Sequence, residues 1–552
     1  MQKERESVSN AAPIEYPDKI DGAVLKVAGV VVLGAIMSIL DITVVNVALP
    51  TFQRVFGHGG QPVAYSTVAW TVTAYTLALA TVIPMTGWAA DRFGTKRLYM
   101  LAIGLFTIGS ALCALSQSIG MLIGFRVLQG LGGGMLMPLG MTIMTHAAGP
   151  KRMGRLMAIL GVPMLLGPIL GPILGGYLIE HASWHWIFLI NLPIGVVALI
   201  YSWFALENDK PTPSESFDFV GMLMMSPGLA LFLYGVSSIP SDGMGSVKVI
   251  VPAIIGIVLI VAFVFHTFRP QHPLLDLRLF SNRLLSVSTV TMFLFVMAFF
   301  GGLLLVPTYF QQIRGESTLD AGLLVAPQGI GALLTMPIAG ALTDKLPVGR
   351  IVPVGLVLII GGMFAMTQIN GESSYWGYII PVLFIMGLGM GATMMPIMTS
   401  ALKTLRPHEI ARGSTLINIV QQVGSSVGVA VMSTVLTNHL KSSPSVGIAQ
   451  SLAEQQGTKH APTLTHDQLT YISQHFPSIT SQLPELAAHP TKAAQIFAPL
   501  FHDAQVAGGH AFGNTFWVAA ILCLLTIVPA LLLPRKPLPE SSKEDVAPVM
   551  IH

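Results

Sequence analysis

The chain has 552 residues, of which 53% are hydrophobic and only 10% charged, against roughly 25% charged in ordinary soluble domains. With a mean hydropathy of +0.69, this composition excludes a soluble globular protein and describes a chain that crosses a membrane many times. The net charge of +3 points to no nucleic-acid partner, and the two cysteines, Cys113 and Cys523, sit far apart within apolar runs, so neither a disulfide framework nor a thiolate metal site is expected.

The polar N-terminal tail, 1–24, carries Glu4, Glu6, Glu15, Asp18 and Asp21. It does not read as a signal peptide, so the first apolar run is expected to be a retained span. Windows of about 19 residues give fourteen spans, at 25–49, 65–89, 98–117, 119–145, 153–179, 185–206, 218–239, 247–268, 285–310, 321–342, 350–369, 375–402, 411–437 and 511–533. Each is long enough for about 30 Å of hydrocarbon. Placing the N-terminus in the cytoplasm puts 22 Lys and Arg on that side and 6 outside, with Arg126 left within a span. This positive-inside bias predicts that both termini, including the tail 534–552, are cytoplasmic.

Span one contains LDITVVNVALP (Leu40 to Pro50). Asp41 stands near its middle, where an acid costs roughly 2.5–3.5 kcal/mol even on a lenient insertion scale and is therefore usually functional. After span two comes GWAADRFGTKR, with Gly87, Asp91, Arg92, Gly94, Lys96 and Arg97. Span four opens on LIGFRVLQGLGGG with Arg126 and Gln129. At 1.5 Å per residue, Asp41 lies roughly 24 Å from the inner start of its span and Arg126 roughly 10 Å from the outer start of its own. Both therefore fall in the outer half, and they are expected to be close. The glycine run after Arg126 lacks the strand and the third glycine of a dinucleotide fingerprint, so helix packing is the better reading.

Span five reads GVPMLLGPILGPILGG from Gly161 to Gly176, with eight of sixteen positions Gly or Pro. A soluble helix would not tolerate this, whereas in a bilayer the segment must stay helical. Gly167, Gly171 and Gly175 give one face without side chains, flanked by Pro168, Pro172 and Gly176. The stretch GALTDKLPVGR (Gly340 to Arg350) after span ten repeats the pattern of Gly87 to Arg97, and GLGMGATMMP in span twelve echoes GLGGGMLMP in span four. Two six-helix halves are thus implied, 25–206 and 285–533, with a two-span insertion at 207–284 between them, an arrangement that places a substrate site between the halves.

In span thirteen, Ser414, Asn418, Gln421 and Ser425 share a helical face. They suit either a water-lined path or interhelical hydrogen bonding; Asn46, Gln129, Tyr309 and Gln328 join them as candidate cavity-lining residues. The polar stretch 438–510 contains seven histidines but no close metal-binding spacing, and it is expected to be a solvated outer loop or hairpin. No metal site or cofactor is expected.

Together these motifs resemble the major facilitator superfamily, within it the fourteen-span drug:proton antiporters. The resemblance covers almost the whole chain apart from the tails and the late outer loop. Gly87 to Arg97 is similar to the superfamily's gate motif, with Thr95 where an arginine is usual. The Arg126 segment is similar to its fourth-helix motif, in which the arginine is implicated in proton coupling, and Gly161 to Gly176 to the fifth-helix signature of exporters. WHWIFLINLPIG (Trp184 to Gly195) resembles a further motif, with His185 where an arginine is usual. The resemblance implies an all-α bundle in a bacterial cytoplasmic membrane. It implies export of lipophilic compounds by proton antiport and alternating access, with Asp41 and Arg126 coupling the proton and no catalytic residues. A periplasmic adaptor is not required by the sequence. A lipid or metabolite exporter of the same fold is the main alternative, ahead of a proton-coupled importer and a membrane enzyme. ATP-driven pumping is disfavoured, since the chain has no Gly-Lys dipeptide and hence no Walker A loop.

Overall fold

Apolar runs in a bilayer must close their backbone hydrogen bonds internally, and in a computed structural model of the chain they do so as helices, with no strand among the described residues. The structure describes residues 21–57, 63, 65–207, 216–406, 409–454, 464–483 and 493–535; most of both tails lies outside them. The first half comprises α1 (Gly22–Val55), α2 (Tyr65–Phe93), α3 (Thr95–Ala114), the 63-residue α4 (Ile119–His181), the short α5 (Trp186–Leu189) and α6 (Asn191–Ala205). The insertion contributes α7 (Phe219–Ser237), α8 (Ile239–Asp242) and α9 (Val247–His266). The second half comprises α10 (Arg283–Gln312), α11 (Thr318–Lys345), α12 (Val348–Met366), α13 (Ile380–Gly391), α14 (Met394–Lys403) and α15 (Ile410–Lys441). Among the described residues, four shorter helices, α16 (Pro444–Glu454), α17 (His466–His475), α18 (Pro477–Thr480) and α19 (Ala493–Ile496), precede α20 (Ala498–Leu531).

Among the described residues, thirteen helical stretches are long and apolar enough to cross a membrane. The remaining expected span, 153–179, is the second limb of α4, and contacts with α1 reveal its direction. Arg126 meets Asp41, and residues 136–140 of the same limb reach back to residues 31–34: Gly34 faces Leu136 and Gly140 faces Val31. The order then reverses, with Gly167 facing Ile39, Gly171 facing Thr43 and Gly175 facing Val44. The first limb runs antiparallel to α1 and the second parallel to it, so α4 doubles back between Ala148 and Arg152. This reversal completes fourteen crossings.

The glycine run in the first limb is a wedge between two helices. A Cβ on Gly130 or Gly134 would stand 2.6 Å from Tyr75 O or Leu79 O of α2, and one on Gly132 would stand 2.5 Å from Phe106 N of α3. The sequence repeat has a different outcome in the second half. GLGMGATMMP is one residue longer than GLGGGMLMP, and an extra residue turns a helix face by about 100°. The expected single span 375–402 opens in a π-helical turn, Tyr375–Ile379, and within this longer motif it breaks between α13 and α14 at Ala392 and Thr393. Pro396 has no N–H to offer Ala392 O, and Thr335 of α11 donates to Leu388 O at 2.8 Å, satisfying a carbonyl beside the break.

The stretch 438–510 is not simply a solvated loop. Helix α15 continues to Lys441 and α20 begins at Ala498, and between them Ile448, Leu452, Ile472, Ile479, Ile496, Phe497 and Leu500 form a separate buried apolar cluster. The alternation of polar residues with single apolar ones concealed it. His460 and His489 lie outside the described residues.

The inserted pair is tied at one end by Asp218. Its carboxylate caps α7 by accepting from Gly221 N at 2.7 Å, accepts from Leu274 N at 3.2 Å, and pairs with His266 of α9 at 2.8 Å. Leaving such buried donors unsatisfied costs about 1–3 kcal/mol. Asp218→Ala should therefore lower the thermal midpoint of the detergent-purified protein, whereas Asp242→Ala, which loses exposed contacts with Lys248 at 3.7 Å and Ser241 Oγ at 3.2 Å, should leave it nearly unchanged.

Candidate functional site

Asp41 projects from the middle of α1 and Arg126 from the second turn of α4, whose start is capped by Ser118 accepting from Met121 N at 3.3 Å. The two side chains form an ion pair from Arg126 Nη1 to Asp41 Oδ2, with both side chains fully buried. Gln129, one helical turn along from Arg126, closes the triangle. Its Oε1 accepts from Arg126 Nη1 at 2.9 Å and its Nε2 donates to Asp41 Oδ1 at 2.7 Å. The amide therefore reads both partners at once, and Cys113 of α3 completes its orientation by donating Sγ–H to the same Oε1 at 3.6 Å.

Helix α2 supplies the rest of the nest. Arg126 Nε donates to Thr71 O at 3.0 Å, and the guanidinium lies 4.1 Å from the ring centre of Tyr75, whose hydroxyl is 3.2 Å from Ser38 Oγ on α1. The ring of Phe188 on α5 stands 5.9 Å away. Thr71, Tyr75, Ser38, Cys113 and Phe188 were not singled out from the sequence. A hydroxyl or ring in an apolar span carries no signal of what it faces, although Phe188 falls within the Trp184 to Gly195 motif. His185 in that motif stacks on Trp184 at 3.9 Å and faces Ser183 Oγ at 3.3 Å.

The bare glycine face of α4 packs against the segment of α1 that bears Asp41. A Cβ on Gly167 or Gly171 would overlap Ile39 or Thr43 Oγ1, and one on Gly175 would come within 3.2 Å of Val44. Gly161 instead faces the second half, where its Cβ would stand 2.6 Å from Met336 Sδ, and Gly176 faces open space. The side chain of Pro168 lies outside the described residues, and Pro172 is half-buried.

The repeated Gly-x-x-x-Asp motifs meet the opposite half in a reciprocal way, at the end of the bundle that carries the basic connections. Gly87 of α2 lets Ala411 and Thr415 of α15 approach, a Cβ there standing 3.1 Å from Thr415 Oγ1, and Asp91 pairs with Arg412 at 3.6 Å. Gly340 of α11 lies against Gly154 of α4, its Cβ 2.6 Å from Gly154 O. Asp344, buried, accepts from Gly154 N at 2.9 Å and from Arg155 Nε at 3.0 Å. Thr142 and Ser414 hydroxyls join the halves at 2.8 Å, and Asn418 reaches Met141 Sδ at 2.9 Å. Arg92 and Arg97 flank this contact on the surface, Gly94 takes the positive φ of 88° that starts α3, and Lys96 donates to Trp203 O at 2.8 Å. The halves are thus latched at the basic end.

In this latched arrangement most of the candidate cavity residues make packing contacts within the bundle. Gln129 belongs to the ion-pair nest, Tyr309 donates to Asn370 O at 2.6 Å, and Gln421 contacts Met398 Sδ at 3.8 Å. Gln328 is buried with Oε1 unpartnered, Ser425 donates to Gln422 O at 3.1 Å, and Asn46 is exposed. Asn418 and Ser414 act across the half-to-half contact, as interhelical hydrogen bonds do.

The family model that matches, over residues 31–429, is that of the Major Facilitator Superfamily. The chain is 45% identical over 527 residues to the "Multidrug resistance protein B homolog" of Mycobacterium tuberculosis (strain ATCC 25618 / H37Rv), covering 94% of this chain and 92% of that protein. It is 30% identical over 429 residues to the "Multidrug export protein EmrB" of Escherichia coli (strain K12), covering 76% and 81%. Among solved structures, the human organic anion transporter MFSD10 (TETRAN) superposes with a TM-score of 0.56 at 16% identity, covering 92% of this chain and all of that one. That likeness concerns the fold.

Asp344→Ala removes both anchors of its half of the latch. A loss of about 1–2 kcal/mol changes a two-state ratio by about 5–30-fold, so thiol labelling of a cysteine introduced at Thr142 should accelerate by that factor in the variant. Gly171→Leu forces α4 away from Thr43 and should disturb the Asp41 nest while leaving membrane insertion intact, read as normal expression in the membrane with impaired coupled transport.

Proposed function

The chain belongs to the Major Facilitator Superfamily, and from that membership we propose that it is a proton-coupled exporter of lipophilic compounds, working by alternating access. The observation that carries the proposal is the buried triangle of Asp41, Arg126 and Gln129. An acid and a base held together in the apolar bundle are expensive unless they work. A carboxylate that takes up a proton gives up its charge-assisted hold on a guanidinium, so protonation and the ion pair compete for Asp41. Making and breaking that pair is a physical route from proton to conformation. The names of the relatives as multidrug resistance and export proteins support the direction and the cargo class.

The positive-inside bias of the basic connections supports an orientation with the latched end and both termini in the cytoplasm of a bacterial cell, within its cytoplasmic membrane. The conformation described then has its inner gate closed. Over the alternating-access cycle Asp41 takes up a proton from the outside once its hold on Arg126 is broken, and releases it inward after Asp91–Arg412 and Arg155–Asp344 part. The glycine face of α4 holds the second limb tight against α1, where it limits leakage of protons or cargo between states. With Asp41 as the single acid near a span centre, neutral or monovalent cargo suits the site better than dications. Transport of this kind uses no cofactor and no enzymatic chemistry, and nothing in the chain calls for an adaptor protein. One proton moving through 100 mV supplies about 2.3 kcal/mol, enough for a roughly fifty-fold gradient of a neutral solute.

In proteoliposomes, an imposed pH gradient should drive movement of ethidium or a neutral lipophilic dye against its gradient, and Asp41→Asn should abolish the pH-driven component. Full proton-driven export by that variant would remove Asp41 from the mechanism. Import of a polar nutrient with the proton would overturn the export reading.

A further inference from the structure

Proton coupling through Asp41 raises a question about Arg126, which stays charged throughout. When Asp41 accepts a proton, a fully buried guanidinium loses its counter-ion, and an uncompensated buried charge is strongly destabilising. The structure contains a second set of partners for it. Only the Asp41 contact comes from α1; Thr71 O and the Tyr75 ring come from α2, Gln129 Oε1 from α4 itself, and Phe188 from α5. Arg126 Nη2 is buried without a hydrogen-bond partner. The electron-rich ring face of Tyr75, 4.1 Å from the guanidinium carbon, offers that side of the cation a compensating interaction that gains weight when desolvated.

We infer that Tyr75 is a positioning residue for the coupling cycle, its ring holding the Arg126 guanidinium while Asp41 carries the proton. This inference rests on the reading of Asp41 and Arg126 as the proton-coupling pair. The proton step is a simple exchange: the Asp41 carboxylate becomes a carboxylic acid, Arg126 keeps its proton and its charge, and the ring replaces part of the lost attraction. Because the arginine is anchored to α2 and α4, α1 is free to shift relative to it without dragging the cation along. The Tyr75 hydroxyl, directed to Ser38, is not needed for this role. The groups with charge or titratable protons that face the pair are Tyr75 on α2 and, through Gln129, Cys113 on α3; Phe188 on α5 carries neither.

In antiport, cargo and proton compete, so ethidium binding to the purified full-length protein should weaken as pH falls, with a midpoint set by Asp41. Replacing Tyr75 by phenylalanine keeps the ring and should leave that midpoint in place. Phenylalanine analogues bearing one, two and three ring fluorines at position 75 keep shape while draining the ring face of electron density. Weakening the ring penalises the proton-loaded state, in which Arg126 lacks its carboxylate, more than the paired state. The midpoint should therefore move stepwise to lower pH, by about one unit across the series, a tenfold loss of proton affinity. Tyr75→Leu should move it at least as far. A flat fluorine series, or a shift already complete in Tyr75→Phe, would overturn the inference while leaving the coupling pair standing. Unaltered pH dependence in Asp41→Asn would instead sink the reading on which it rests.

Discussion

Burying an acid and a base in an apolar helix bundle dominates the physics of this protein. Neither charge has water to fall back on, and their attraction repays desolvation only if the remaining donors and acceptors are met. The surroundings of Asp41 and Arg126 meet nearly all of them, through Gln129, Thr71 O and two aromatic faces. Such a cluster requires helices in unusually close contact, and glycines permit it. Gly130 and Gly134 admit α2, Gly132 admits α3, and Gly167, Gly171 and Gly175 admit α1.

Helix α4 links the Asp41–Arg126 pair to the contact between halves. Its first limb carries Arg126 and Gln129, then Thr142 at the boundary with Ser414. Its second limb begins with Gly154 and Arg155, both bonded to Asp344, and continues to the glycine face beside Asp41. A change in the hold of Asp41 on Arg126 is therefore exerted on the same element that bears half of the latch. A contiguous element biased at both ends is the kind of structure through which coupling free energy can act.

The two halves show how a repeat can be both kept and altered. The Gly-x-x-x-Asp motif performs the same task in each, docking Asp91 on Arg412 and Asp344 on Arg155. The glycine motif does not. Its second copy has one more residue and gives a broken helix, α13 and α14, where the first gives a continuous limb. The second half thus has a broken, methionine-rich helix pair where the first has the continuous limb that bears Arg126.

Hydropathy, basic bias and motif spacing determined the helical class, the fourteen crossings, the paired halves and the closeness of Asp41 to Arg126. These follow from local chemistry: an apolar run must be a helix in lipid, and a helix rises by a fixed step, so depth can be counted from its end. Partners were another matter. Nothing in the sequence distinguishes the Tyr75 ring under Arg126 from any other aromatic in a span, or shows that Arg412 rather than another basic residue meets Asp91. The face each side chain presents depends on helix rotation and crossing, which packing of the whole bundle sets. The apolar cluster within 438–510 was hidden for the same reason, since its residues come together only after several short helices fold onto one another. The tertiary structure alone decided which hydroxyls and aromatic faces surround the buried pair, which basic residue each gate acid meets, and which glycines let the helices approach.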